Sequence, residues 1–171
     1  MIINEVILEN YLCYYGRKKF KFSQGLNIVL GENGEGKTKF YEAIEWLFQE
    51  DNDDTEALVS KKAISEANVN GSFEVSVTLE VELFSEKKLI KKSFKVNKLD
   101  SNQIKTERVI LKGTEENNRG ERAIVDGGQL LDQVFPPQFR KYSMFKGEEA
   151  LNIFENEDAL GILIGLFSEA K

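Results

Sequence analysis

A chain of 171 residues with 41% apolar residues and a net charge of -6 is long enough for one sizeable core and too short for two independent ones. It contains no histidine, which excludes Ser-His-Asp and Cys-His catalysis and most zinc sites. Its single cysteine, Cys13, excludes an internal disulfide, and no apolar run approaches the ~20 residues that span a bilayer, so we expect a soluble protein of the reducing cytoplasm.

The first third of the chain predicts a hairpin, a strand and a helix. Ile2 to Glu9 and Arg17 to Phe22 are predicted strands joined by a tyrosine-rich turn at Gly16. Leu26 to Leu30 is an apolar run interrupted only by Asn27, and such a run predicts a buried central strand. After Thr38, apolar residues recur at the spacing of one helix face, at Phe40, Ala43, Ile44, Leu47 and Phe48.

The remainder predicts mainly antiparallel strands. A short helix is expected within Glu56 to Ala67, and apolar and polar residues alternate from Phe73 to Leu83. A meander is predicted to continue through Ile90 to Val96 and Arg108 to Leu111, before a loop at residues 112–121. Three further elements are predicted near the end: a short helix over Gln129 to Phe135, a strand over Tyr142 to Phe145 and a final helix over Asp158 to Phe167.

Residues 31–38, Gly-Glu-Asn-Gly-Glu-Gly-Lys-Thr, match the phosphate-binding motif G-x-x-x-x-G-K-[ST] in full, between a predicted strand and a predicted helix. In such a loop, backbone N–H groups converge on one anion and Lys37 supplies positive charge to the β- and γ-phosphates. The hydroxyl of Thr38 can bind Mg²⁺. A chance match is expected in under about one percent of chains this long, so the motif predicts a nucleoside triphosphate site.

A second short sequence, Asn97-Lys98-Leu99-Asp100, spells the N-K-x-D pattern by which GTPases recognise guanine. No D-x-x-G lies between it and the glycine-rich loop, and the residues before it alternate with lysines instead of forming a buried strand. A polar turn after an amphipathic strand explains it, and a GTPase is a minor alternative. A P-loop kinase is a third, although the sequence shows no arginine-rich lid.

The order of these elements resembles one family specifically. The stretch "ILENYLCYYGRKKFKFSQGLNIVLGENGEGKTKFYEAIEWLF" is similar to the N-terminal lobe of ABC-type ATPase heads of the SMC, RecF and DndD group, where a strand ending in Asn-aromatic, a second strand and the glycine-rich loop follow in this order. A weaker match, "YSMFKGEEA", resembles their Q-loop. The expected fold is therefore an α/β P-loop NTPase lobe, with a mixed central sheet and an antiparallel β-meander.

The resemblance implies specific ligand contacts. The phosphates of ATP are assigned to the loop and the start of its helix, at Asn33, Gly34, Glu35, Gly36, Lys37, Thr38 and Lys39. Asn10 and Tyr11 match the segment near the nucleotide. A second set of candidates for nucleotide contacts is Arg17, Lys18 and Lys19, and the alternative is that these three are exposed strand residues without a role.

The metal site departs from the family pattern. Lys146 stands where these heads have Gln or Asp, and an ammonium group has no lone pair for a metal ion. Either Lys146 contacts the γ-phosphate, or Glu148 serves the metal, or hydrolysis is slow; a solvated loop lysine is the simplest alternative. Thr38 and Glu148 are therefore the candidate Mg²⁺ ligands.

Two sequences that hydrolysis requires in this family are missing, namely Ser-Gly-Gly and an apolar strand ending in Asp-Glu. The nearest match, "AIVDGG", offers Asp126, but glycines follow where the catalytic glutamate would stand. No catalytic residue is therefore assigned. Because the chain ends in "LGILIGLFSEAK" without a helix C-cap, we expect residues 1–171 to be one lobe, truncated where a coiled coil begins.

The expected function is ATP and Mg²⁺ binding as the N-terminal lobe of an SMC-like ATPase, a hydrolase in the full-length protein, acting in DNA repair or anti-phage defence. The expected partners are a C-terminal lobe, a second head, DNA and a nuclease or other effector subunit, with no membrane. The alternative is a non-hydrolysing, nucleotide-gated dimerisation or DNA-clamp module. Lys88, Lys91 and Lys95 are expected to contact DNA phosphates, although a solvated hairpin fits them equally.

Overall fold

The computed structural model describes residues 1–49, 54–101, 103–116, 120–137 and 140. The chain divides into two compact units, residues 1–134 and 135–171. The first unit contains, in chain order, β1 (Ile2–Tyr11), β2 (Tyr14–Lys21), α1 (Lys37–Phe48), a 3-10 turn (Glu56–Leu58), α2 (Lys61–Glu66), β3 (Ser72–Leu83), β4 (Glu86–Lys98), β5 (Ile104–Thr106), β6 (Ile110–Glu116), β7 (Arg122–Asp126) and α3 (Gly127–Val134).

The strands form one seven-stranded sheet. Its order is β2-β1-β3-β4-β6-β7, and β5 pairs with the end of β4. The long hairpin of β3 and β4 lies at the centre, with Leu79 opposite Ile90. The α/β class and the antiparallel meander are thus confirmed. The expected mixed sheet is not found among the described strands, because each of their pairings is antiparallel.

One face of the sheet carries the core, because alternate side chains of a strand point to the same side. Buried apolar residues of the two central strands include Val75, Val77, Leu79, Val81, Ile90, Phe94 and Val96. Helix α1 packs here through Phe40, Ala43, Trp46 and Leu47. The ring centroid of Trp46 lies 5.6 Å from that of Tyr11 and 5.9 Å from that of Phe94. The helix that follows the glycine-rich loop is therefore fixed to the centre of the sheet.

Two buried lysines of β4 hold helix ends against the sheet. The Nζ of Lys92 donates to the carbonyls of Trp46 at 3.0 Å and Gln49 at 2.5 Å, at the end of α1. The Nζ of Lys98 donates to the carbonyls of Ile64 at 2.7 Å and Ala67 at 2.8 Å, at the end of α2. The last carbonyls of a helix lack partners within it and form the negative end of its dipole, so an ammonium group is stabilised there.

This contact also explains the N-K-x-D sequence. Lys98, its lysine, is only 6% exposed and is engaged with α2, while the Asn97 side chain donates to Glu107 at 2.9 Å. The pattern therefore serves the sheet and its neighbouring helix, and it gives no support to a GTPase.

We expect Lys92→Met to lower the free energy of unfolding by about 1–3 kcal/mol, because the buried carbonyl of Trp46 and the part-buried carbonyl of Gln49 lose their donor. Urea denaturation with an unchanged m-value measures the effect. Lys91→Met is the matched control. Its ammonium lies at a partly exposed site, paired with Glu74 at 2.6 Å, and such pairs contribute ~0–1 kcal/mol. Equal stability losses in the two variants would contradict the capping role.

Residues 26–30 do not form the buried central strand that their apolar run predicted, and this prediction is wrong. Leu26 and Leu30 are each 86% exposed, and Ile28 is 68% exposed. An apolar run is typical of a strand covered on both faces, but none of the described strands pairs with residues 26–30. The run is an exposed apolar segment that leads into the glycine-rich loop.

Other elements differ in their bounds. β1 and β2 pair as predicted, but their turn falls at residues 12–13 instead of Gly16. Residues 112–116 of the predicted loop belong to β6, and their charged side chains have partners on adjacent strands, such as Glu116 with Arg122 at 2.7 Å. Helix α3 begins two residues earlier than predicted.

The strand and helix predicted at residues 142–145 and 158–167 lie outside the described residues. Within the described part of the chain, no helix has both the length and the apolar character needed to cross a membrane.

Candidate functional site

The glycine-rich loop leads directly into α1, as the motif predicted. Gly36 is the N-cap residue of this helix and has φ 94°, and Gly34 has φ 90°. Both values lie in the left-handed region that side chains disfavour. A Cβ on Gly36 would also lie 2.7 Å from the Sγ of Cys13. Gly36 is therefore required for backbone conformation and for space.

The N-terminal end of α1 is suited to an anion. No side chain caps it, and its first turn contains no acidic residue. The first N–H groups of a helix have no partners within it and form the positive end of its dipole. Thr38 and Lys39 are exposed at this point. The helix end therefore offers unneutralised N–H groups and an accessible hydroxyl to a ligand.

Two side chains of the loop contact its own backbone. The Nζ of Lys37 donates to the carbonyls of Gly31 and Glu32, each at 2.6 Å. The carboxylate of Glu35 accepts from the N–H of Glu32 at 2.7 Å. The side chain of Lys39 points to a different partner, the carboxylate of Glu42 at 2.8 Å. Lys37 is therefore the lysine that the structure places over the loop.

The β1–β2 hairpin supports the loop through contacts that the sequence analysis missed. The hydroxyl of Tyr14 donates to the carbonyl of Gly36 at 3.0 Å. Burial, followed by the proximity of Cys13, raises the pKa of Tyr14 above its ordinary value. The ring of Phe20 lies 4.6 Å from that of Phe40 on α1. The tyrosine-rich turn just after the Asn10-Tyr11 pair was the signal for this support.

Asn10 and Tyr11, predicted to lie near the nucleotide, have contacts within the sheet and between the sheet and α1. Tyr11 is 1% exposed against Trp46, and burial, followed by the charges of neighbouring glutamates, raises its pKa well above the usual range. The side chain of Asn10 donates to the carbonyl of Glu74 at 2.9 Å and accepts from the N–H of Gly16 at 3.0 Å. The structure brings neither side chain to the loop.

The three lysines expected to contact DNA do not form a free basic surface. Lys88 is only 5% exposed, and its Nζ lies 2.5 Å from Glu115. Lys91 pairs with a glutamate at 2.6 Å and Lys95 with Glu107 at 3.9 Å. Neighbouring strands supply the acidic partners of Lys88 and Lys91, and the segment after β5 supplies that of Lys95. On the edge strand β2, the candidates Arg17, Lys18 and Lys19 are exposed, with Lys19 lying 3.9 Å from Glu5.

Asp126, the nearest match to a catalytic carboxylate, has a structural role. Its Oδ1 accepts from the N–H of Gln129 at 2.8 Å and so caps the start of α3. A Cβ on Gly127 would lie 2.7 Å from the carbonyl oxygen of Leu111, so the following glycine is a packing requirement. The "AIVDGG" sequence is therefore explained by the junction of β7 with α3.

Of the two predicted Mg²⁺ ligands, Thr38 is among the described residues. Glu148 lies outside them, as does Lys146. They contain no group of three or more Cys, Asp or Glu side chains that could hold an ion. Mg²⁺ usually keeps several waters and takes its other ligands from phosphates and one or two protein oxygens. The exposed hydroxyl of Thr38 fits such a partial site.

A family model described as "AAA domain" matches residues 5–170. The fold is similar to a solved structure from work on "ATP-driven dimerization and DNA stimulated activation of SMC ATPases", at 14% identity and a TM-score of 0.46, covering 91% of this chain and 98% of that one. No curated protein matches the sequence. The family model spans nearly the whole chain, whereas the structural likeness is too distant to add to it.

Proposed function

This chain belongs to the AAA domain family, and from this premise we propose that it binds ATP together with Mg²⁺ at residues 31–38. The observation that carries the proposal is the uncapped N-terminal end of α1. Two glycines with left-handed backbone conformation precede it, and the ammonium of Lys37 reaches back to the carbonyls at the start of the loop. A chain of phosphates needs several converging N–H donors and a cation, and this segment provides both.

Each part of the loop has a role in the proposed complex. The backbone N–H groups from Asn33 to Lys39 donate to phosphate oxygens, and the ammonium of Lys37 exchanges its two carbonyl partners for the β- and γ-phosphates. The hydroxyl of Thr38 holds Mg²⁺, with Glu148 as the second candidate ligand. The metal ion, when bound, neutralises charge on the phosphates.

We further propose that the chain is the N-terminal lobe of an SMC-like ATPase and is completed by a C-terminal lobe. The exposed apolar segment at residues 26–30 supports this, because burying such surface stabilises by ~25 cal/mol per Å². A groove of about 570 Å³ lies at the start of this segment, lined by residues 1–3, residues 22–25 and Asn27. A strand from the missing lobe would cover the run on the side that the described residues leave open.

The wider role rests on the family resemblance. It comprises a second ATP-bound head, a coiled coil inserted into the head, DNA as the object of repair or anti-phage defence, an effector subunit such as a nuclease, and a cytoplasmic location. The paired lysines of the meander contribute nothing to the DNA part of this proposal.

The second candidate is a nucleotide-gated dimerisation or clamp module that binds ATP without hydrolysing it. One observation favours it for this chain: Asp126, the nearest match to a catalytic carboxylate, caps α3. No Asp-Glu pair occurs in the 171 residues. The two candidates share the ATP site and differ in turnover.

Calorimetry with ATP and GTP, each with Mg²⁺ and with EDTA, tests the ATP site. We expect ATP to bind more tightly with Mg²⁺ than with EDTA, because the metal ion neutralises phosphate charge. GTP should not bind more tightly than ATP, since Lys98 of the guanine-like pattern is engaged with α2. A lack of ATP binding, or a preference for GTP, would contradict the proposal.

A further inference from the structure

The carboxylate of Glu35 folds back onto the loop that contains it. Its Oε2 accepts a hydrogen bond from the backbone N–H of Glu32 at 2.7 Å. The same oxygen lies 2.6 Å from the point that a Cβ on Gly31 would occupy, so it lies directly against the first glycine of the motif. A carboxylate oxygen on a backbone N–H of this turn makes the kind of contact that a phosphate oxygen would make.

The cation of the loop is engaged as well. Lys37 donates to the carbonyls of Gly31 and Glu32, each at 2.6 Å, while the N–H of Glu35 donates to the carbonyl of Glu32 at 3.3 Å. Residues 31 and 32 thus give their carbonyls to Lys37 and one N–H group to Glu35. A ligand that uses this end of the loop must replace these contacts.

We infer that Glu35 is an internal competitor of phosphate and a determinant of the affinity of this loop. The inference rests on the proposed ATP site and goes beyond it, because it assigns a residue that opposes binding. The carboxylate holds the N–H of Glu32, which directly precedes the donors proposed at Asn33 to Lys39, and its negative charge stays within the loop when a ligand binds. The held turn and the charge both weaken the binding of any polyphosphate, whatever base it carries.

The size of the effect is limited by exposure. Glu35 is exposed, so water and salt screen its charge. A hydrogen bond to a charged group still contributes more than a neutral one. We therefore expect removal of the charge to tighten polyphosphate binding by about tenfold at low salt and by less at high salt.

The test compares Glu35→Gln with Glu32→Gln in the 171-residue chain. Both variants remove one negative charge from the loop and keep the length of the side chain, but only Glu35 places its carboxylate on a backbone N–H. Calorimetry with Mg-ATP and with sodium tripolyphosphate, at low and high salt, separates phosphate binding from base recognition. Glu35→Ala repeats the measurement without an amide that could keep the hydrogen bond.

We expect Glu35→Gln to bind both compounds about tenfold more tightly than the wild type and Glu32→Gln to differ from it by less than about threefold. Equal gains in the two Gln variants would show a general charge effect and overturn the inference. Unchanged or weaker binding by both Glu35 variants would overturn it too, while leaving the ATP site intact. If no form of the chain binds either compound, the proposed function fails and the inference fails with it.

Discussion

Lys37→Ala should lower the affinity for ATP by at least about a hundredfold, because charge-assisted hydrogen bonds from one ammonium to two phosphates are lost together. Lys37 is the loop's own cation, and in the empty loop it is held by exposed carbonyls. Those carbonyls can bond to water after the substitution, so the free energy of unfolding should change by less than ~1 kcal/mol. Calorimetry and urea denaturation measure the two effects separately.

Lys39→Ala is the matched control for this experiment. Lys39 lies two residues further along the same helix, so each variant removes one positive charge near the phosphates. Its ammonium, however, pairs with Glu42 at 2.8 Å, and its expected contribution to binding is the backbone N–H. The affinity should therefore fall by less than about fivefold. Similar losses in the two variants would show that general charge, and not the position of Lys37, governs binding.

The loop and α1 could be predicted because their determinants are local. The two glycines with φ near 90° and the helical spacing of Phe40, Ala43 and Leu47 are written into one short stretch of sequence. The long β3–β4 hairpin followed from strict alternation for the same reason. Where neighbouring residues alone decide the conformation, motif and periodicity are sufficient.

The lysines of the meander show a limit of sequence patterns, which do not reveal partners that are distant along the chain. The partner of Lys88 lies 27 residues away and that of Lys91 lies 17 residues away, both on neighbouring strands. A run of lysines along one strand therefore says nothing about the net charge of the surface. The burial of Lys92 and Lys98 was missed in the same way, because the helix ends that hold them are distant in sequence.

The prediction of a buried strand at residues 26–30 failed for another reason. Its apolar run indicates correctly that this part of the chain favours burial, but periodicity cannot report whether a neighbour is present to cover it. Within the described residues no strand covers this run, and Leu26 and Leu30 are therefore exposed. Asn10 and Tyr11 show a related limit, since a resemblance fixed their place in the hairpin but not the direction of their side chains.

ATP turnover by the isolated chain is expected to be very slow and to rise steeply when a C-terminal lobe is added. A glycine-rich loop positions the phosphates, but hydrolysis also needs a group that orients the attacking water and further charge stabilisation. Asp126 is occupied as the cap of α3, and the sequence contains neither Ser-Gly-Gly nor Asp-Glu. In the proposed arrangement these groups come from the C-terminal lobe and the facing head.

Steady-state phosphate release, measured at several concentrations of mixed lobes, tests this expectation. The rate should rise more than linearly with head concentration, because two heads must meet around ATP, and Lys37→Ala in the mixture should abolish it.

A single chain that turns over ATP near the ~10 per second of a median enzyme, and loses that rate with Lys37→Ala, would overturn the need for a second lobe. Asp126→Asn, which keeps an oxygen for the α3 cap but removes the charge, would then separate Asp126 from Glu148 as the source of catalysis. A mixture that binds ATP and dimerises without turnover would favour the non-hydrolysing module, since the ATP site would be complete and only the catalytic group absent.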